Sequence, residues 1–158
     1  MSKYYEQYSS LIKRIRQGET LPLKGTDWSM ANGLGWTLAH EAAKLGRIPA
    51  GFRRDQWNEV DSFQNPVANI AAKAGTLPED FEFWDIRDDN GNTPGHIAAI
   101  NGKAWKLPVK FNAWDAKNGD GKTVRDLADE HEKLTATRMT EREERLTTRR
   151  NATPKMGM

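Results

Sequence analysis

The sequence predicts an all-α fold: a helical-repeat solenoid with an N-terminal capping helix and a long C-terminal helix. Three observations carry this expectation. Trp28, Trp57, Trp84 and Trp114 stand 29, 27 and 30 residues apart, and nine residues after each comes Thr37, Pro66, Thr93 or Thr123. Fixed-period self-similarity of this kind is the signature of repeat architectures. Three positions further lie His40, Asn69, His96 and Asp126, with alanine pairs at 42–43, 71–72 and 98–99 followed by Gly46, Gly75 and Gly102. Leu, Ile, Val and Phe together number only 27 of 158 residues, against 17 Ala and 6 Trp. A core made from them must consist of small residues packed around a few large rings. Such units cannot bury an apolar face alone, so they must stack.

The first element is a helix over Tyr4 to Arg16, within an N-terminal region 1–20. Tyr5, Tyr8, Leu11, Ile12 and Ile15 recur at helical spacing, and Gly18 supplies a stop. It is expected to cap the exposed face of the first unit. Four units then occupy residues 27–135, beginning near the four tryptophans. Polar turns precede their helices at Asn32-Gly33, 88–92 and 118–121. Thr37 and Thr93 suit N-caps, the run Leu38 to Lys44 and its equivalents read as short helices, and the glycines suit left-handed C-caps. Ile48-Pro49 with Phe52 and Leu77-Pro78 with Phe81 follow, leaving room for one or two helical turns before the next Trp. In the third unit Leu107-Pro108 and Phe111 arrive three residues late, because Ala104-Trp105-Lys106 is inserted. The fourth unit runs on as an amphipathic helix through Leu127, His131 and Leu134. Residues 136–158 form a charged tail, either a solvated helix or an arm that loses order after Asn151.

These residues resemble the ankyrin repeat, whose helix-opening signature is Gly-x-Thr-x-x-His-x-Ala-Ala-x-x-Gly. Residues Gly35 to Gly46 and Gly91 to Gly102 match it, Asn65 to Gly75 is a degenerate copy, and Gly121 to Ala128 starts correctly before diverging. The units fall short of the family's length of about 33 residues, and a Trp/Phe pair replaces the surface of the second helix. The resemblance implies that Trp28, Thr37, His40, Trp57, Trp84, Thr93, His96 and Trp114 are structural, and that the chain binds a protein partner. Short Trp-marked units of this style look like those of bacterial and phage-encoded chains. This implies a regulator or inhibitor of a host protein, acting in the host cytoplasm if phage-encoded.

Catalytic readings are weak. The Thr-x-x-His pairs fit backbone hydrogen bonding of the turns better than general base chemistry. Gly121-Lys122-Thr123 lacks the Gly a phosphate loop needs at position 116, which is Ala116. The acidic turns fail the spacing of a calcium loop. With no cysteine and three histidines, neither a metal site nor a thiol nucleophile is expected. A non-enzymatic protein without cofactor follows. The first twenty residues carry Lys3, Lys13, Arg14 and Arg16 without an apolar stretch, and no segment approaches the roughly 18 apolar residues of a membrane span. A cytoplasmic, membrane-independent protein is expected.

Binding residues are sought where a unit departs from its own pattern. Leu34 and Phe63 occupy turn positions that hold Asn90 and Asp120 in later units, and Trp36 aligns with Asn65, Asn92 and Lys122. Apolar turn tips in the first two units form a candidate contact surface. For Trp36 an alternative stays open, in which it folds back onto the N-terminal helix or a neighbouring turn. Trp105, inside the insertion, is a second outlier. Glu41, Lys44, Lys73, Ile100 and Asn101 sit where the concave helix face is expected and complete the protein-binding set.

Charge divides the chain. Residues 1–18 carry net +3, residues 19–132 net −5 and residues 133–158 net +4. The acidic repeat body disfavours a nucleic-acid groove along the stack. Arg138, Arg142, Arg145, Arg149 and Arg150 are candidate contacts to nucleic acid or to an acidic partner, and leave an alternative, a nucleic-acid-associated or virion/structural component docked through a basic tail. Their neighbouring glutamates favour a solvated helix with i,i+4 pairs.

Overall fold

The structure, a computed structural model, describes residues 3–152, with side chains of the last helix through Thr148. Among the described residues six α-helices run in chain order: α1 (Lys3–Arg16), α2 (Leu38–Leu45), α3 (Arg54–Trp57), α4 (Val67–Ala74), α5 (Pro94–Ile100) and α6 (Val124–Ala152), with one 3₁₀ turn at Ala104–Lys106. No strand forms among the described residues, where isolated antiparallel bridges pair Ala31 with Thr37, Val60 with Pro66 and Lys117 with Thr123. The larger helices form a row: α1 packs on α2, α2 on α4, α4 on α5 and α5 on α6.

The starts of α2, α5 and α6 are local hydrogen-bonding devices. The Thr37 hydroxyl accepts from the His40 backbone N–H at 3.0 Å, and His40 Nδ1 accepts from the Thr37 N–H at 3.2 Å. This reciprocal capping box satisfies two otherwise unpaired donors. Thr93 and His96 repeat it, and Thr123 does so with the Asp126 carboxylate at 3.0 Å in both directions. Helix ends are equally uniform. Gly46, Gly75 and Gly102 take φ of 73°, 76° and 69°. In each case the glycine N–H and the following N–H return to carbonyls of the last turn, Ala43 and Ala42, Ala72 and Ala71, Ala99 and Ala98. That is a Schellman closure, and its left-handed residue favours glycine.

The alanines let the helices approach. Ala39, Ala42, Ala43, Ala68, Ala71, Ala72, Ala98 and Ala99 are all buried. On the opposite side of each unit the aromatic residues form one chain of edge-to-face contacts. Trp28, Phe52, Trp57, Phe81, Trp84, Phe111 and Trp114 follow one another with centroid separations of 5.2, 5.4, 5.1, 4.8, 4.5 and 4.9 Å. T-shaped pairs at this distance contribute about 0.5–1.5 kcal/mol each beyond their burial. The ladder stands where the sequence leaves room for one or two helical turns before each tryptophan. Only α3, a single turn, forms there; after Pro78 and after Pro108 the chain makes turns instead. A ring that reaches both neighbours replaces the apolar face of a helix, so the backbone need not coil.

Two further expectations are corrected. On α1 the buried stripe is Tyr8, Ile12 and Ile15, with Leu11 half-buried, while Tyr5 is 52% exposed. Tyr8, Ile12 and Ile15 share the face of α1 that packs on α2. On α6, Val124 and Leu127 are buried and His131 is half-buried, but Leu134 is exposed. Contact with α5 ends near His131, whose ring lies over Gly102, and the helix then continues away from the body. Among the described residues no helix is long and apolar enough to cross a membrane.

Candidate partner-binding groove

Four residues after each tryptophan stands Asn32, Asp61, Asp88 or Asn118. Each uses Oδ1 to accept two backbone N–H groups: Leu34 and Trp36, Phe63 and Asn65, Asn90 and Asn92, Asp120 and Lys122, all at 2.9–3.1 Å. A short polar side chain that accepts from positions two and four ahead fixes a compact loop. Neighbouring loops are joined: the Ser62 N–H donates to the Leu34 carbonyl at 2.9 Å, and the Gly119 N–H to the Asn90 carbonyl at 2.8 Å. The first and second loop tips, and the third and fourth, are thereby held side by side. Leu34 and Phe63 stand out from them, 58% and 69% exposed.

Between these tips and the helices lies a groove of about 730 Å³. Its loop wall is Asn32, Leu34, Trp36, Asp61, Phe63 and Asn65; its helix wall is Arg16, Glu41, Lys44, Ile70, Lys73 and Ala74. Apart from Arg16 and Ala74, these are equivalent positions of the first two units: 32 with 61, 34 with 63, 36 with 65, 41 with 70 and 44 with 73. The third unit has Asn90 and Asn92 at the tips, and it contributes nothing to the groove. The depth comes from the apolar residues that break the pattern.

Six of the residues singled out from sequence meet here: Leu34, Trp36, Glu41, Lys44, Phe63 and Lys73. Trp36 is half-buried, with its indole turned onto α2 rather than onto the N-terminal helix or a neighbouring turn. Its Nε1–H donates to Glu41 Oε2 at 2.8 Å, its ring lies 5.0 Å from that of His40, and its carbonyl accepts from the Tyr8 hydroxyl at 2.8 Å. One edge still lines the groove. Glu41 is not a free contact residue: it is 4% exposed and also accepts from Arg16 Nε at 2.9 Å. Burial pushes its carboxyl up, but the hydrogen bonds from Arg16 and Trp36, with Lys44 nearby, outweigh this and hold it below its ordinary value. Glu41 thus positions Trp36 and Arg16 at the groove floor. Among the described residues neither Lys44 nor Lys73 has an ion-pair partner within 4.0 Å, and both are exposed.

The other proposed contacts lie elsewhere. Ile100 is 43% exposed, the Asn101 side chain donates to the Ile97 carbonyl at 2.8 Å, and Trp105 is 77% exposed with the Lys106 ammonium 5.2 Å from its ring centroid. None of the three reaches the groove. Arg138, Arg142 and Arg145 are exposed on α6, where spacings of four and three place them on one face; Arg145 lies 4.0 Å from Glu141. The side chains of Arg149 and Arg150 fall outside the described residues.

His40 and His96 are fully buried and engaged at both ring nitrogens. Nδ1 accepts from the threonine N–H, and Nε2 donates to a carbonyl of the next unit, Asn65 at 2.8 Å for His40 and Ala116 at 2.7 Å for His96. Desolvation lowers both pKa values below the ordinary 6.5. Neutral, doubly bonded rings act here as fasteners between units. Asn69 does the same with an amide, donating to the Asn92 carbonyl at 3.1 Å. Among the described residues no group of three or more His, Asp or Glu side chains is arranged to hold a metal ion.

Sequence reasoning missed Asn32, Asp61, Arg16 and Ile70. The first two carried a signal, an Asn or Asp at one place in all four units. Arg16 carried none, because it belongs to α1 and joins the site only through the packing of α1 on α2. No protein-family model and no curated protein matches the chain, and the groove itself is what its function must be read from.

Proposed function

We propose that the chain is a non-enzymatic protein-interaction module, a short ankyrin-like solenoid that binds a protein partner in the groove formed by its first two units. The observation that carries this is the convergence of Leu34, Trp36 and Phe63 with the helix residues Lys44 and Lys73 on one concavity of about 730 Å³. That size lies in the range of roughly 300–1,000 Å³ of established ligand pockets, and aromatic anchors dominate interface hot spots. The repeated capping boxes, Schellman ends and inter-unit fasteners support the ankyrin-like reading. A regulator or inhibitor of another protein fits this design, since a rigid concave scaffold binds without large ordering cost. Capture of partners from cell lysate tests it. Trp36→Ala/Phe63→Ala is expected to lose a partner that the chain truncated before Arg138 keeps; the reverse pattern sinks the reading.

A second reading rests on α6. Arg138, Arg142 and Arg145 share one exposed face of a helix that leaves the body, an arrangement suited to phosphate contact by a nucleic-acid-associated component. Its mark is salt dependence: any binding to duplex DNA or RNA must weaken steeply with salt and vanish in Arg138→Glu/Arg142→Glu.

A further inference from the structure

We infer that the occupant of the groove is an extended, acidic peptide segment of a partner protein, in which an aromatic or aliphatic side chain is flanked by carboxylates. This rests on the groove being the binding site. The charges of the groove are unequal in availability. Glu41 is buried and hydrogen-bonded by Arg16 and Trp36. Asp61 is 5% exposed; its Oδ1 accepts from two loop N–H groups and its Oδ2 from the Asn65 amide at 3.2 Å. Both carboxylates are committed to the fold. Lys44 and Lys73 occupy equivalent positions on α2 and α4, are exposed, and lack ion-pair partners among the described residues. The Arg16 side chain is 64% exposed beside them. An incoming ligand thus meets the cationic side chains of Lys44, Lys73 and Arg16 beside an apolar surface lined by Trp36, Phe63 and Ile70.

The spacing also constrains the ligand. Packed helices lie about 8–10 Å apart, which sets the scale between the two lysines. Carboxylates two to four residues apart on an extended segment are separated by about 7–13 Å and bracket it, leaving the apolar anchor between them. Residues 1–18 and 133–158 are both net positive, which points to a partner rather than to an end of this chain as the source of such a segment.

The test is selection of a randomised ten-residue peptide library, displayed on phage, against the intact chain. Phe63→Asp and Lys44→Glu/Lys73→Glu serve as counter-targets, with circular dichroism verifying that each stays folded. Enriched peptides are expected to carry an aromatic or aliphatic residue bracketed by Asp or Glu. They should lose affinity for Lys44→Glu/Lys73→Glu by roughly tenfold, and that variant should enrich Lys- and Arg-flanked peptides instead. Peptides that need Phe63 but have neutral or basic flanks, or that ignore the lysine reversal, overturn the charge inference and leave the groove reading intact. Peptides indifferent to Phe63→Asp, or a library yielding none that depend on it, overturn both. Self-association of the chain that Phe63→Asp abolishes identifies a second copy as the occupant and overturns the peptide assignment.

Discussion

At the residue scale, the twelfth position after each tryptophan shows how one geometry accepts three chemistries. His40, Asn69, His96 and Asp126 occupy it, and in three units the residue three before donates its N–H back to this side chain. In the second unit that residue is Pro66, which has no N–H, and the Asn69 Oδ1 is accordingly buried without a partner. Pro66→Thr should restore the capping box. A cap is worth about 1 kcal/mol, against a loss of proline rigidity of about 0.4–1 kcal/mol, and relief of the orphaned oxygen adds to the gain. A net stabilisation on the order of 1 kcal/mol is expected in urea denaturation, and a destabilised variant contradicts the account. The histidines make stability depend on pH. Their folded pKa values lie below the unfolded value near 6.5, so below 6.5 the unfolded chain binds more protons and stability falls as pH falls. Denaturation midpoints measured between pH 7.5 and 5.5 should drop for the native chain. They should drop less for His40→Asn/His96→Asn, whose amides mimic Asn69.

At the element scale, the short helices are specified by their ends, since eight residues are too few to persist alone in water. Caps and glycine closures were legible as spacing in the sequence. The replacement of a second helix by the ring ladder was only half legible: the Trp/Phe substitution could be read, but the extent of lost coiling could not, because it depends on each ring reaching two neighbours at once. The C-terminal helix divides into a part that packs and a part that does not. Lys122 reaches Glu130 at 2.9 Å and His131 covers Gly102, while Leu134, Met139 and Leu146 are 57%, 60% and 49% exposed. Truncation after Lys133 is therefore expected to change unfolding free energy by less than about 0.5 kcal/mol, the usual range for surface changes. A larger loss in urea denaturation reveals a packing role for the projecting segment.

At the scale of the whole molecule, the buried apolar residues fall into two clusters. One runs from Tyr8 to Ile86; the other comprises Ala99, Phe111, Val124 and Leu127, and Trp84 packs against both. Trp84 is also a rung of the ladder, touching Phe81 at 4.8 Å and Phe111 at 4.5 Å. Interfaces between adjacent elements couple their unfolding, and Trp84 adds to the packing of α4 on α5 a side chain shared by both clusters. Trp84→Ala should then separate the unfolding of α5 and α6 from that of α1 to α4. Hydrogen exchange would show the amides of 94–127 losing protection at lower urea than those of 38–74, whereas the native chain loses both together. A single coincident transition in the variant removes Trp84 from this role. The groove lies wholly on the first cluster's side, so partner binding should survive the substitution.

The second unit illustrates where local rules give way. Gln64 holds φ of 64° in the slot that other units fill with Gly35, Gly91 and Gly121, and with Pro66 and Asn69 it makes this unit the least regular. Its loop carries Phe63. By itself the sequence determined the repeat, the caps, the small-residue helices and the residues that break the pattern, because all of these are local or periodic chemistry. Only the tertiary structure decided that Trp36 and Glu41 turn inward to each other, that Arg16 arrives from α1, and that Lys44 and Lys73 have no ion-pair partner among the described residues. Those outcomes depend on which side chains the packing of α1, α2 and α4 brings within hydrogen-bonding distance, and no spacing along the chain encodes that distance.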